Sequence, residues 1–369
     1  MQKEEKKVEY LELIYDLIFV YIVGRNNSLL HTVVNGFVPG RVYLAYVLGS
    51  LAVIQIWNFS TFYINMYGRN SVRDHVALFV NMYLLYYIGE GTRLHWESFQ
   101  NQYHLAWALI LLNLGAQYWI ELRHHTPEER RPIRRMALVL LGEALLVLAA
   151  IPVYNVTGMA LAGVPILFGV LAAWGFAAGG RADRIDFAHL SERAMLYVVF
   201  TFGEMIIVLA SYFEGSFSLR SVYFSCMSFL IVAGLFLCYE RFYDHIIDRE
   251  MSTNGMGYML THILLIFAMN NITTSLEFMR DEAVALRPKL LFLVGSLLLF
   301  FLCLFALQRY ARRGRGLCRR IALPVGIATA AFAALMLLLR ENMAANILVS
   351  AVYVLAVYLS LWRFCRKCE

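Results

Sequence analysis

The sequence predicts an all-α transmembrane protein of about twelve helices in two parallel six-helix repeats. Three observations lead there. Hydrophobic residues make up 60% of the 369 and charged residues only 16%, whereas soluble domains carry about 45–50% and about 25%. The apolar residues gather into runs long enough to cross a bilayer, which takes about 20 residues at 1.5 Å each. Polar landmarks then recur in the same order along the two halves of the chain.

The first run, 10–33, follows a short charged tail, Met1 to Glu9, and lacks a small-residue cleavage site. It is therefore expected to remain as a helix rather than be removed as a signal peptide. Further runs lie near 42–67, 74–91, 102–121, 135–151 and 158–178. The stretch Ala178-Gly179-Gly180-Arg181-Ala182-Asp183-Arg184 reads as a short charged linker. Six more runs follow, near 190–212, 221–245, 257–277, 289–308, 320–339 and 343–363. The expected organisation is one six-helix repeat over 1–180 and a second over 181–369.

The repeat rests on an ordered series of matches. Glu12 aligns with Glu192, and Phe62-Tyr63 with Phe242-Tyr243, all at an offset of 180. His75 with His262 and Glu90 with Glu277 follow at 187, and Arg134-Arg135 with Arg319-Arg320 at 185. Each unit has an even number of spans, so the second enters the membrane from the same side as the first. That predicts a pseudo-two-fold axis along the membrane normal, with a binding site expected between the halves.

Arginine and lysine decide the orientation. With a cytoplasmic N-terminus, the inner loops collect clusters such as Arg130, Arg131, Arg134 and Arg135, and Arg309, Arg312 and Arg313. The outer loops keep only scattered basic residues such as Arg41, Arg93 and Arg220. The positive-inside rule then places both termini in the cytoplasm. The net charge of +6 follows from this asymmetry and from anionic inner-leaflet lipid, without nucleic acid as a partner. The expected partners are the bilayer and a small solute or ion.

Cys318, Cys365 and Cys368 fall on the reducing side and Cys226, Cys238 and Cys303 within helices, so no disulfide framework is expected. A lone Cys365-Arg366-Lys367-Cys368 lacks a second ligand pair, and no metal or cofactor is expected.

The candidate functional residues are the acids and histidines inside the apolar runs. Glu12 and Asp16 are four residues apart, roughly 6 Å of rise, and point from one face of the first helix. Ionised groups near the bilayer centre cost about 3 kcal/mol or more, so they face a protein interior or a hydrated cavity. Glu192 and Arg193 stand at the mouth of the seventh run, with Glu204 deeper in it. Glu143 sits mid-run in the fifth span, opposite Ala328 in the repeat. His75 and His262 lie at inner helix ends. Together these eight are the expected substrate or proton pathway. The amides Gln55, Asn58, Asn65, Asn81 and Asn113 suit either helix packing or a hydrated path.

Glu12-Leu13-Ile14-Tyr15-Asp16-Leu17-Ile18-Phe19-Val20 resembles the E-L-F-F-D-L-V-F-V signature of the bacterial low temperature requirement protein A family. Ser191-Glu192-Arg193, followed by an apolar stretch to Gly203-Glu204, is similar to that family's E-R and G-E pair. The resemblance implies a polytopic membrane protein throughout, with Glu12, Asp16, Glu192, Arg193 and Glu204 as its characteristic polar positions. The family's name refers to growth at low temperature, which suggests a stress response.

Two function classes follow, with a third behind them. A secondary transporter or channel-like protein would use the buried carboxylates to handle protons or cations. A membrane-embedded enzyme would need a nucleophile, metal cluster or phosphate loop, and no G-x-S-x-G, H-E-x-x-H or G-x-x-x-x-G-K-[ST] is present. A lipid-binding stress-adaptation protein would use its polar face for packing alone.

Overall fold

A computed structural model describes residues 6–91, 96–157, 161–179, 185–213, 218–279, 281, 283–314 and 319–366. They form twelve α-helices and, apart from two isolated bridges, no strand. Nine of the helices are long and apolar enough to cross a membrane. The protein is a membrane protein, and its exposed leucines, isoleucines and phenylalanines are surfaces for lipid rather than water.

The first helix, α1 (Tyr10–Asn26), shows how the sequence arranges itself in such a solvent. Glu12, Tyr15, Asp16, Phe19, Val23 and Asn26 recur at three- and four-residue steps and are buried. Ile14, Leu17 and Tyr21, on the other side, are exposed. Polar side chains thus turn inward and aliphatic ones outward, the reverse of a soluble amphipathic helix. At 17 residues, α1 is shorter than the expected run of 10–33, because Asn27–His31 tightens into a 3-10 turn.

The helices that follow are α2 (Gly40–Tyr67), α3 (Val72–Gly91), α4 (Trp96–Glu121), α5 (Pro127–Thr157) and α6 (Gly163–Gly179). Their starts are written in the sequence. Ser71 accepts the Asp74 N–H at 3.3 Å while Asp74 accepts the Ser71 N–H at 3.3 Å, a reciprocal cap for α3. Thr126 and Glu129 open α5, where Glu129 accepts the Thr126 N–H at 3.1 Å and Pro127 fills the first helical position. That start sets α5 running well beyond the expected 135–151. The three helices outside the nine are α1 and α6, each of 17 residues, and α3, which carries Arg73, Asp74, Asn81 and three tyrosines.

The second half holds α7 (Phe187–Val208), α8 (Leu219–His245), α9 (Met256–Phe278), α10 (Leu286–Ala306), α11 (Arg319–Leu338) and α12 (Met343–Arg366). Ser218 caps α8 by accepting the Ser221 N–H at 3.1 Å, and Asn342 accepts the Ala345 N–H at 3.0 Å at the start of α12.

The chain divides into two compact units. One comprises Met1–Thr32, Pro39–Tyr197 and Ser252–Met259; the other, Val33–Val38, Val198–Met251 and Leu260–Glu369. In the first, Gly89 of α3 lets Ile22 of α1 approach, since a Cβ there would meet Ile22 Cγ1 at 3.2 Å. In the second, α8 packs along α12 at Gly234, where a Cβ would come within 2.6 Å of Val354 Cγ1. Small residues at such crossings let helices pack closely where lipid tails supply no hydrophobic drive between them. Most of the expected linker, residues 180–184, and Cys318 and Cys368 lie outside the described residues.

Candidate functional site

Asp16 and Arg193 form the centre of a buried charge cluster in the first unit. Arg193 Nε donates to Asp16 Oδ2 at 3.2 Å, and its Nη2 pairs with Asp16 Oδ1. Both side chains are fully excluded from solvent. Trp57 of α2 donates its indole N–H to Asp16 Oδ1 at 2.8 Å, so the carboxylate is held from two helices at once. The Trp57 ring lies 4.6 Å from that of Tyr197, one helical turn beyond Arg193, and closes the apolar side of the pair. A fork-to-carboxylate pair with a further donor is the arrangement in which a buried ion pair keeps both charges satisfied.

Glu12, one turn before Asp16, extends the cluster. Its Oε2 lies 3.5 Å from Arg193 Nη1 and 3.3 Å from His189 Nε2, at ion-pair distance. The tautomer of His189 follows from its other nitrogen. Asn65 accepts the Asp186 N–H at Oδ1, at 3.1 Å, and donates from Nδ2 to the Asp186 carbonyl at 2.8 Å, which orients its amide. The same Nδ2 faces His189 Nδ1 at 3.1 Å, so Nδ1 accepts and the imidazole proton sits on Nε2, toward Glu12. The backbone N–H of His189 donates to Asp186 Oδ1 at 3.1 Å, which fixes the start of α7.

Glu12 has a second neighbourhood. A cavity of about 190 Å³ is lined by Glu12 together with Lys6, Arg69, Asp74, His75 and Gln117. It lies where the start of α1 meets the end of α2 and the start of α3. Lys6 crosses this region and donates to the Gly68 carbonyl at 2.8 Å and to that of Ile64. Burial lowers its pKa from the ordinary lysine value, with the Glu12 charge opposing. His75 bonds Asn70 at the cavity edge.

A separate ion cluster braces the same end of the unit. Fully buried Glu121 of α4 receives Arg69 at 3.3 Å and also Arg73. Deeper, an amide and hydroxyl chain links four helices. Tyr15 meets Ser60 at 3.1 Å and accepts from Asn81 at 3.3 Å, and Asn113 donates to Asn81 at 2.8 Å. The intramembrane amides Asn65, Asn81 and Asn113 thus serve to tie helices together.

Of the eight expected pathway residues, the structure brings Glu12, Asp16 and Arg193 into one cluster and sets His75 on the adjoining cavity. Glu192 is half-buried beside Arg193 and makes no ion pair among the described residues. Glu143 is fully buried in α5, apart from the cluster. Its Oε2 and Gln55 Nε2 lie within 2.2 Å and 2.0 Å of the point a Cβ on Gly169 would occupy, and neither Glu143 oxygen has a hydrogen-bond partner among the described residues. Glu204 and His262 belong to the second unit. There Glu204 is close enough to Glu277 for the two acids to repel, and His262 Nε2 meets the Tyr239 hydroxyl at 3.0 Å.

Sequence reasoning passed over His189, Trp57 and Glu121, and named Asn65 only among amides suited to packing or a hydrated path. His189 had a signal, since it precedes Arg193 by four residues and so shares its helix face. Trp57 had none beyond its place in an apolar run.

The sequence pattern of the bacterial low temperature requirement A proteins (LtrA) matches residues 7–358, nearly the whole chain and every member of the cluster. The chain belongs to the LtrA family. No solved structure and no curated protein matches it. Within this LtrA-family chain, the signature acids Glu12 and Asp16 and the later Arg193 are therefore partners in space.

Proposed function

We propose that this LtrA-family protein is a secondary transporter or channel-like protein that handles protons or small cations through the Glu12–His189–Arg193–Asp16 cluster. The observation that carries the reading is the double membership of Glu12, which lines the 190 Å³ cavity and also touches Arg193 and His189. A charge entering the cavity is felt directly by the buried pair. Two carboxylates face one guanidinium in the cluster, and the Lys6 ammonium on the cavity wall opposes the remaining charge of Glu12. A proton or cation entering beside Glu12 changes that balance. A balanced and an unbalanced cluster favour different helix packings, because uncompensated charge in a low dielectric is costly.

Alternating access needs two bodies, and we propose the parallel repeats 1–180 and 181–369 for that role. Element order supports them. The first helix of each half ends in a 3-10 turn, Asn27–His31 after α1 and Leu209–Phe213 after α7. The fourth helix of each half does the same, with Leu122–His124 after α4 and Leu307–Tyr310 after α10. Glu143, Glu192, Glu204, His75 and His262 are proposed as further stations of the pathway. The enrichment of arginine in alternate loops supports a cytoplasmic-membrane location with both termini inside as part of this reading.

Flux in proteoliposomes tests the reading. Purified protein under an imposed pH gradient should move protons or a monovalent cation, and Glu12→Gln should reduce that flux while leaving the protein folded. Absence of flux for every ion tried, with Glu12→Gln changing only stability, would overturn it.

A further inference from the structure

The turn joining α4 to α5 carries a second site, independent of the charge cluster. A cavity of about 560 Å³ opens there, lined by Arg123, Arg130, Arg131 and Arg134 with Trp119 and Leu122. Four guanidinium groups around one cavity repel each other and leave an excess of positive charge. Among the described residues none of the four pairs with a carboxylate. Arg130 donates to the His125 carbonyl at 2.9 Å. Two nearby acids are otherwise engaged: Glu129 faces His125 and the Thr126 N–H, and Glu121 holds Arg69 and Arg73. Exposed Glu128 of the first turn makes no ion pair among the described residues and is not in the cavity lining, and a single carboxylate would leave four guanidinium groups with an excess of positive charge open to an external anion.

The helix below says what kind of anion it is. Arg131 and Arg134 begin a series on α5 that continues through Leu138, Leu141 and Leu145, at steps of three and four, so all five share one face. Each is exposed. From Arg134 to Leu145 the helix rises roughly 16 Å, close to the ~15 Å half-thickness of a bilayer's hydrocarbon core. On α4, exposed Trp119 lines the same cavity and sets an aromatic ring at the arginine level. Trp at that height is the usual interfacial anchor. A free phosphate would use the arginines and leave the leucine track idle; a phospholipid uses both.

We propose that this cavity binds the headgroup of an anionic phospholipid, with the phosphate among Arg123, Arg130, Arg131 and Arg134 and an acyl chain along Leu138, Leu141 and Leu145. Arginine suits this because its planar fork can give two parallel N–H bonds to one phosphate.

Delipidated full-length protein in detergent, titrated with phosphatidylglycerol, phosphatidylcholine or inorganic phosphate and followed by native mass spectrometry, tests the site. Phosphatidylglycerol should be retained in preference to phosphatidylcholine, and millimolar phosphate should fail to displace it. Each arginine near an anionic surface contributes a factor of about five, so Arg131→Gln with Arg134→Gln should weaken retention on the order of twentyfold. Leu141→Gln should weaken it as well, and Arg313→Gln, a basic residue of the other unit, should not. Gel filtration and melting temperature of each variant confirm the fold. Equal retention of the two lipids, undiminished retention in the double arginine variant, or displacement by phosphate would each overturn the proposal. The first two outcomes would leave the arginines serving orientation only, and the third would assign the cavity to free phosphate.

Discussion

Arg193 and Asp16, 177 residues apart in the chain, meet through Nε and Oδ2 at 3.2 Å with neither side chain open to solvent. The pair welds the first helix to the seventh. Its strength depends on being complete, because removing one member leaves a bare charge in a medium that cannot solvate it.

Arg193→Gln should therefore destabilise the protein by about 3–5 kcal/mol, and Asp16→Asn by a smaller amount, since Trp57 can still donate to the amide oxygen. The double variant should be more stable than Arg193→Gln alone. A double-mutant cycle on thermal melts in detergent reads the coupling; strict additivity of the two losses would show that the pair does not act as a unit.

Glu12 should separate function from stability. It sits at the edge of the cluster, and losing its charge leaves Arg193 its two contacts to Asp16. Glu12→Gln should cost no more than about 1.5–3 kcal/mol, the scale of one hydrogen bond to a charged group. Ion flux in proteoliposomes should fall far more than the melting temperature suggests. A stability loss matching that of Arg193→Gln would place Glu12 in the scaffold.

Gly255 precedes α9 with φ of +63°, and a Cβ there would meet Leu190 Cδ2 at 2.2 Å. Gly255→Ala combines left-handed strain with a clash on α7, one turn from Arg193. An expected loss of about 1–3 kcal/mol can be measured by denaturant or thermal unfolding.

Gly169 keeps α6 clear of two polar side chains. In Gly169→Ala the new methyl group would occupy space within 2.0 Å of Gln55 Nε2 and 2.2 Å of Glu143 Oε2. Both side chains must move within a packed bundle, at about 1–3 kcal/mol. Shortening the acid by Glu143→Ala in the same background should recover part of that. If Gly169→Ala melts like the wild type, the two groups have room to turn aside, and Glu143 is less confined than its burial indicates.

The helical architecture was legible because its cause is local. A backbone in lipid has to satisfy its own hydrogen bonds, so each apolar run of about 20 residues becomes a helix whatever its neighbours do. Caps such as Ser71–Asp74 and Thr126–Glu129 could likewise be read from residues three apart. The ends of runs were harder. Span five begins at Pro127, just after its Thr126 cap and eight residues ahead of the apolar stretch, and span one stops at Asn26, where a 3-10 turn takes over.

The sequence by itself determined that Glu12 and Asp16 share an inward face, since a four-residue step on a helix leaves no alternative. It also marked Arg193 and Glu204 as charges inside an apolar run. Only the tertiary structure decided that Arg193 is the counter-ion of both acids, that His189 and Trp57 complete the cluster, and that Glu204 and His262 belong to another unit. Periodicity fixes the direction of a side chain around its own helix. Which helix faces it depends on how all the faces pack, and that information is spread over the chain rather than held at the residue concerned.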